Sequence, residues 1–102
     1  MEIIWSTRAF LTLADIYRFG RLNWSDDTAE KYQQRIRAVV QVISENPDIG
    51  FRRDSIVYGM RSFPVEAHTI YYRVDQAAVV IMAVLHSGAD AHRTFEQSDE
   101  EF

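Results

Sequence analysis

The sequence from Val57 to Asp90 predicts three consecutive strands, and this constrains the fold more than any other part of the chain. Between Ala67 and Val74 the side chains alternate, with one face formed by His68, Ile70, Tyr72 and Val74 and the other by Ala67, Thr69, Tyr71 and Arg73. The segment from Ala78 to His86 is apolar on both faces and rich in β-branched residues, as expected for the inner strand of a sheet. The short segment between the two strands predicts an antiparallel hairpin.

Two shorter segments are expected to complete the sheet. Val57 to Phe63 predicts a strand that ends at Pro64, because proline has no N–H to give to a strand ladder. Glu2 to Trp5 is a short apolar segment that predicts a first strand at the edge of the sheet. The segment from Asp48 to Ser55, just before the strand that starts at Val57, is expected to be a loop.

Two amphipathic helices are predicted between the first strand and the later ones. The first is capped by Ser6, runs from Thr7 to Phe19 and ends at Gly20, with an apolar face of Ala9, Phe10, Leu13, Ile16 and Tyr17. The second is capped by Ser25 and ends at Asn46-Pro47-Asp48, with an apolar stripe of Ala29, Tyr32, Ile36, Val39, Val40 and Ile43. The expected fold is α+β, in which an N-terminal strand and a two-helix hairpin pack on a small antiparallel sheet in the order β-α-α-β-β-β.

The predicted inner strand raises the question of what covers its second face. Alternation assigns Val80, Met82 and Val84 to one side and Val79, Ile81 and Leu85 to the other. The helical hairpin covers one side only, so the tail or a partner protein must cover the other. Tyr71 and Arg73 are expected on that second face, and tyrosine and arginine are residue types that anchor protein interfaces.

Composition and charge exclude several classes of protein. The 102 residues fit one domain, expected over residues 1–95, followed by an acidic tail over residues 96–102. The chain has no cysteine, no signal-peptide pattern and no apolar segment long enough for a membrane span, so a cytoplasmic location is expected. The net charge of −4 comes from that tail, and residues 1–93 are neutral, which argues against nucleic acid as the main partner.

The histidines are the first candidates for chemistry. No two of His68, His86 and His92 have the spacing of a local metal site, and the sequence contains no phosphate-binding loop or hydrolase motif. His68 and His86 lie on neighbouring strands and could meet in space. They are either structural histidines or ligands and bases, and we predict neither a metal site nor a cofactor.

The arginines are the second candidates. Arg61 and Arg73 fall on adjacent predicted strands, and Arg93 follows the last one. Together with Arg52 and Arg53 they form either a local basic patch or salt bridges, for which the nearby acids are Asp54, Glu66, Asp75 and Asp90.

Five segments, in this order and spacing, resemble a known superfamily. They are IIWSTRA at the start, NPDIG after the second helix, then GMRSF, HTIYYRV and VLHSGADAHRTF. The chain resembles the ParE/RelE superfamily, the toxins of bacterial type II toxin–antitoxin systems. The last three segments are most similar to the ParE branch.

The resemblance implies a small α+β toxin that a ParD-like antitoxin holds inactive. ParE-type toxins block DNA gyrase by binding, whereas RelE-type toxins cut mRNA on the ribosome with a cluster of Lys, Arg and a Tyr or His. Lys31 is the only lysine here, which favours the non-enzymatic ParE type; a nuclease would have to use Arg61, Arg73 and His86. A third possibility is a non-toxic remnant that only binds antitoxin, suggested by Ser87-Gly88-Ala89 in the final motif. The residues expected to bind partners are Trp24, Arg61, Tyr71, Arg73, His86, Asp90, Arg93 and Phe95.

Overall fold

The computed structural model describes residues 1–96 and contains a five-stranded sheet with a helical hairpin on one face. The elements are β1 Glu2–Trp5, α1 Thr7–Asn23, α2 Asp26–Glu45, β2 Phe51–Arg52, β3 Arg61–Val65, β4 His68–Asp75, β5 Ala78–His86 and α3 Ala91–Glu96. The strand order β1-β5-β4-β3-β2 confirms the α+β fold. It also confirms β5 as an inner strand and β1 as an edge strand, which pairs with β5 in parallel. The expected acidic tail beyond Glu96 lies outside the described residues.

The sheet contains one strand that the sequence did not predict and one with different bounds. The two residues of β2 lie in the segment that was expected to be a loop, and β3 begins only at Arg61. Pro64 does not end this strand but lies within it, opposite Thr69. Proline is tolerated there because β2 pairs only with Arg61 and Ser62, which leaves the other side of β3 open at Pro64.

Helix α1 is longer than predicted, because Gly20 does not end it. The helix continues to Asn23, and Gly20 is buried where α2 crosses it. A Cβ atom at Gly20 would lie 3.1 Å from the Cβ of Ala29. The glycine therefore permits close packing of the two helices, and the interhelical connection is reduced to Trp24 and Ser25.

Both predicted serine caps are confirmed. The Oγ of Ser6 accepts a hydrogen bond from the backbone N–H of Ala9, and that of Ser25 accepts one from Thr28. Ser6 also donates from its hydroxyl to the carbonyl oxygen of Met82 at 2.9 Å. The cap of α1 is thereby joined to the middle of β5.

The main core lies between the helical hairpin and the sheet, as the sequence predicted. Its fully buried members are Ala9, Leu13, Ile36, Val40, Ile43, Val65, Ile70, Tyr72, Val79, Ile81 and Val84. Ile16, Tyr32 and Val39 are partly buried against it. The assignment of Phe10 to the apolar face of α1 is wrong, because its side chain is 58% exposed.

A β-bulge in β5 changes which side chains face the hairpin. Tyr71 pairs with Ala83 and Tyr72 pairs with Ile81, so Met82 is an extra residue on β5. The alternation is reversed beyond the bulge. Val84 therefore packs in the main core and Leu85 on the second face, opposite to the assignment from simple alternation.

The second face of the sheet is covered by the chain itself. A second cluster of buried residues consists of Met60, Met82, Ala83, Ala91 and Phe95, with Ile56, Val57, Tyr71, Val80 and Leu85 partly buried against it. Helix α3 and the segment before β3 supply this cover. Of the two expected covers for the face carrying Tyr71, the segment after Asp90 is therefore correct, and the expectation of a partner protein there is wrong. Within residues 1–96, no helix is long and apolar enough to cross a membrane.

Candidate partner-binding groove

An apolar groove lies where the connected ends of α1 and α2 meet the end of the sheet. Its volume is about 580 Å³, within the range of protein binding sites. The residues that line it are Thr12, Asp15, Ile16, Phe19, Trp24, Tyr32, Ala67, His68 and His86. We refer to this set as the hairpin groove.

Aromatic side chains form one wall of the hairpin groove. The rings of Phe19 and Trp24 pack edge to face with their centroids 5.6 Å apart. Phe19 is 57% exposed and Trp24 is 66% exposed, and Leu22 on the same helix end is 79% exposed. Large apolar side chains exposed together mark a surface suited to a partner.

A histidine pair and a tyrosine form the polar part of the groove. His68 and His86 are directly opposite each other on β4 and β5, and their ring centroids are 5.6 Å apart. Tyr32 on α2 has its hydroxyl oxygen 2.7 Å from Nδ1 of His68. These contacts confirm that the two histidines meet in space.

Hydrogen bonds and burial both act on the protonation of these groups. The Tyr32 oxygen accepts from the backbone N–H of Ala67, so its own hydrogen is free to donate to Nδ1 of His68. Gly88 N–H donates to Nδ1 of His86 at 3.3 Å. Burial, and secondarily the charge of His86, lowers the pKa of His68 from its ordinary value. Burial raises the pKa of Tyr32, so the phenol remains a donor.

The acids near the groove are already paired. Asp15 on α1 forms an ion pair with Arg18 at 3.3 Å, and Glu66 in the turn before β4 pairs with Arg35 of α2 at 2.9 Å. No cluster of three or more potential metal-ligating side chains occurs in the described part of the chain.

The predicted arginine patch does not form around Arg61 and Arg73, because they lie on opposite faces of the sheet. Arg61 pairs in register with Tyr72 of the main core and donates to the carbonyl of Gly50 at 2.9 Å. Arg73 pairs with Val80 of the second cluster and forms an ion pair with Asp75 at 3.2 Å. His86 is on the Arg61 face but at the other end of the strands, in the hairpin groove.

The salt-bridge interpretation is correct for some of the arginines. Arg52 pairs with Asp54 at 2.7 Å, as Arg73 does with Asp75. Arg53 instead donates to Oγ of Ser62 at 2.7 Å. Two of the expected acids have other roles, since Glu66 pairs with Arg35 and Asp90 caps α3.

The remaining predicted partner-binding residues occupy three different places. Trp24 and His86 line the hairpin groove. The rings of Tyr71 and Phe95 pack against each other at 5.7 Å, and Phe95 is only 4% exposed. Asp90 accepts from the backbone N–H of Arg93, and the Arg93 side chain is exposed on α3. Tyr71 and Phe95 thus face each other within the chain.

Sequence analysis did not place Phe19, Tyr32 and His68 at a binding site. Tyr32 was assigned to the apolar stripe of α2 and His68 to one face of β4; both are only partly buried, and both line the groove. Phe19 was taken as the last residue of α1, although its phase places it outside the buried stripe. An apolar residue outside the stripe at a helix end was the available signal.

The chain is similar to known proteins over most of its length. The sequence model of the family described as "ParE toxin of type II toxin-antitoxin system, parDE" matches residues 3–91. Toxin ParE1 of Caulobacter vibrioides is 30% identical over 86 residues, which cover 84% of this chain and 88% of that protein. Toxin ParE1 of Mycobacterium tuberculosis is 32% identical over 71 residues, covering 69% and 72% of the two chains.

Structural similarity agrees with this result. A chain of the structure titled "Chromosomal ParDE TA system from P. aeruginosa" superposes with a TM-score of 0.74 and 24% identity, covering 84% of this chain and 95% of that one. At this identity the similarity establishes the fold.

Proposed function

Because the chain belongs to the ParE toxin family of type II toxin–antitoxin systems, we propose that it is a cytoplasmic toxin that inhibits DNA gyrase by binding and is neutralised by a ParD-like antitoxin. The antitoxin is proposed to occupy the hairpin groove. The observation that supports this most is the exposure of three large apolar side chains, Phe19, Leu22 and Trp24, at the end of the hairpin beside that groove.

The groove is a better antitoxin site than the second face of the sheet. Phe95 and Met60 are buried against that second face, so little apolar area is left there for a partner. The hairpin groove is open, and an amphipathic helix that is disordered when free could fold into it. Trp24 would then be an anchor residue, since tryptophan is enriched among the residues that dominate binding energy.

The positions of the basic residues support a binding inhibitor over a ribosome-dependent nuclease. A nuclease site needs its cations and its proton donor around one phosphate. Arg61, Arg73 and His86 are on two faces and two ends of the sheet, so they do not converge. Lys31 is 74% exposed on α2 and pairs with Asp27. This arrangement favours the gyrase-binding proposal among the functions of the superfamily.

The segment Ser87-Gly88-Ala89 does not favour a non-toxic remnant. It forms an ordinary hydrogen-bonded turn, in which Ser87 N–H donates to the carbonyl of Ala67 and Ala89 N–H donates to that of His86. An intact antitoxin site is expected both of a toxin and of a remnant that only binds antitoxin, so inhibition of gyrase is the property that separates them.

Antitoxin binding can be tested at the groove with a matched surface control. The antitoxin encoded beside this protein would be titrated against Phe19→Ser, Trp24→Ser and the control Tyr58→Ser, whose side chain is 87% exposed outside the groove. The two groove variants should bind at least about tenfold more weakly, the factor that corresponds to 1.4 kcal/mol. All three should unfold at the temperature of the parent protein, because each replaced side chain is exposed. Equal affinity for the three variants would place the antitoxin elsewhere.

A further inference from the structure

We propose that the protonation state of the His68–His86 pair controls the hairpin groove: the neutral pair accepts the antitoxin and the protonated pair releases it. This inference depends on the proposed function, because it assigns a regulation to the same groove. It makes the toxin–antitoxin complex weaker in mildly acidic conditions.

The geometry shows why an added proton is disruptive. In the neutral state, Nδ1 of His86 accepts from the Gly88 N–H. Nδ1 of His68 lies 2.7 Å from the Tyr32 oxygen, and we assign it as the acceptor because that tautomer gives the Tyr32 hydrogen a partner. A charged imidazole carries hydrogens on both ring nitrogens. The new hydrogen must therefore appear on an atom that now accepts a hydrogen bond.

The consequences differ for the two rings. Protonated His86 would direct its Nδ1–H at the Gly88 N–H, so that bond is lost and either the ring or the turn after β5 must move. Protonated His68 would direct its Nδ1–H at the Tyr32 oxygen, which already accepts from Ala67. The oxygen can accept both hydrogens, but the Tyr32 hydrogen must then turn away from His68. Both changes occur in the lining of the groove.

Within residues 1–96, the acids nearest to the pair are already in ion pairs. From α1 the nearest acid lining the groove is Asp15, which is paired with Arg18. From the turn before β4 it is Glu66, which is paired with Arg35 of α2. Protonated His68 and His86 would also face each other across one rung of the sheet, so the second proton is disfavoured by the first.

The added charge would directly weaken binding of a partner in the groove. An apolar helix lying in the groove would bury a positive imidazolium without a paired acid, which is costly in a low-dielectric environment. The neutral pair carries no such cost. Burial lowers the pKa of His68 from its ordinary 6.5, so its protonated form becomes populated only as the solution is made acidic.

The test is the pH dependence of antitoxin affinity between about pH 7.5 and 5.5, for the full-length protein and three variants. His68→Gln and His86→Gln cannot be protonated, and His92→Gln is the control because His92 is exposed on α3, away from the groove. The parent and His92→Gln should lose affinity several-fold on acidification, and the two groove variants should lose much less. A parent whose affinity is constant or rises at low pH overturns the proposal. So does an equal loss in all four proteins.

A second measurement separates this inference from the proposed function. NMR titration of the free chain should show that the pKa of His68 lies below its ordinary value, and Tyr32→Phe, which removes the hydroxyl beside Nδ1, should raise it. An antitoxin that binds at no pH contradicts the proposed function and the switch with it. An antitoxin that binds equally at both pH values, while NMR shows His68 becoming protonated, overturns the switch alone.

Discussion

The phenol of Tyr72 and the backbone of Gly50 are in direct contact beneath the helical hairpin. The hydroxyl of Tyr72 accepts a hydrogen bond from the Gly50 N–H at 2.8 Å and donates one to the carbonyl of Pro47 at 2.8 Å. Tyr72 is fully buried, and a Cβ atom at Gly50 would lie 2.6 Å from its hydroxyl oxygen. One side chain of the sheet therefore fixes the loop that leaves α2.

Tyr72→Phe should destabilise the protein by about 1–3 kcal/mol, because it leaves the Gly50 N–H and the Pro47 carbonyl without their buried partner. Urea unfolding measures the change. Tyr58→Phe is the control, since that tyrosine is 87% exposed and its replacement should change the free energy of unfolding little. Equal stability of the Tyr72 variant and the parent would contradict the assigned hydrogen bonds.

Gly50→Ala should also destabilise, by roughly 1–3 kcal/mol, because the added methyl group overlaps the Tyr72 ring and the Ser62 carbonyl. Gly88→Ala provides a matched control. A Cβ there has its nearest neighbour, Nδ1 of His86, at 3.8 Å. In thermal unfolding, Gly50→Ala should have a clearly lower melting temperature than Gly88→Ala. Similar melting temperatures would mean that the loop after α2 can move away from Tyr72.

Ile36→Ala should cost about 2–5 kcal/mol, the usual range for large-to-small changes in a core. Ile36 is fully buried in the main core, whereas Val42 on the same helix is 42% exposed. Chemical denaturation of Ile36→Ala and of the control Val42→Ala would test the phase of α2. A larger loss in the control would show that the helix presents a different face to the sheet.

The hydrogen bonds that hold the loop between β2 and β3 should weaken in acid, because they depend on the charged Asp54 carboxylate. The Gly59 N–H and then the Arg52 guanidinium hold the pKa of this carboxyl below its usual 3.8. The folded state thus prefers the charged form, so the contribution to stability is present above the unfolded pKa and lost as pH falls through the lower, folded one. Protection of the Gly59 amide from exchange, measured against its intrinsic rate at each pH, should fall in the parent as the Asp54 carboxyl becomes protonated. In Asp54→Asn that acid-dependent loss of protection should be absent; a parent amide whose protection is unaffected by acid refutes the assignment.

The periodicity of apolar residues correctly predicted the parts of the fold in which one face is buried. The apolar stripe of α2, with Ile36 and Ile43, packs on the sheet as expected because helical phase alone selects those residues. The predicted alternation of β4 is confirmed for Tyr71 and Tyr72, which lie on opposite faces of the sheet.

Predictions from local sequence were wrong where a tertiary contact overrides them. Gly20 was predicted to end α1, as glycine often does, but it lies within the helix and permits close packing on Ala29.

The candidate site was harder to predict because three separate elements form it. Trp24 was recognised as a contact at the interhelical connection, and the meeting of His68 and His86 followed from strand pairing. The groove also requires Phe19 and Tyr32, and their positions depend on how the hairpin sits on the sheet. The bulge at Met82, which reverses the faces of Val84 and Leu85, has no signal in a uniformly apolar strand.

The proposed action of this protein is inhibition of DNA gyrase by binding. The most direct measurement is DNA supercoiling by purified gyrase with increasing amounts of the protein, run beside a purified translation system at the same concentrations. Supercoiling should be inhibited, addition of the antitoxin should restore it, and mRNA should remain intact. Unchanged supercoiling, together with ribosome-dependent mRNA cleavage that is lost in Arg61→Ala or Arg73→Ala, would contradict the account and identify a nuclease.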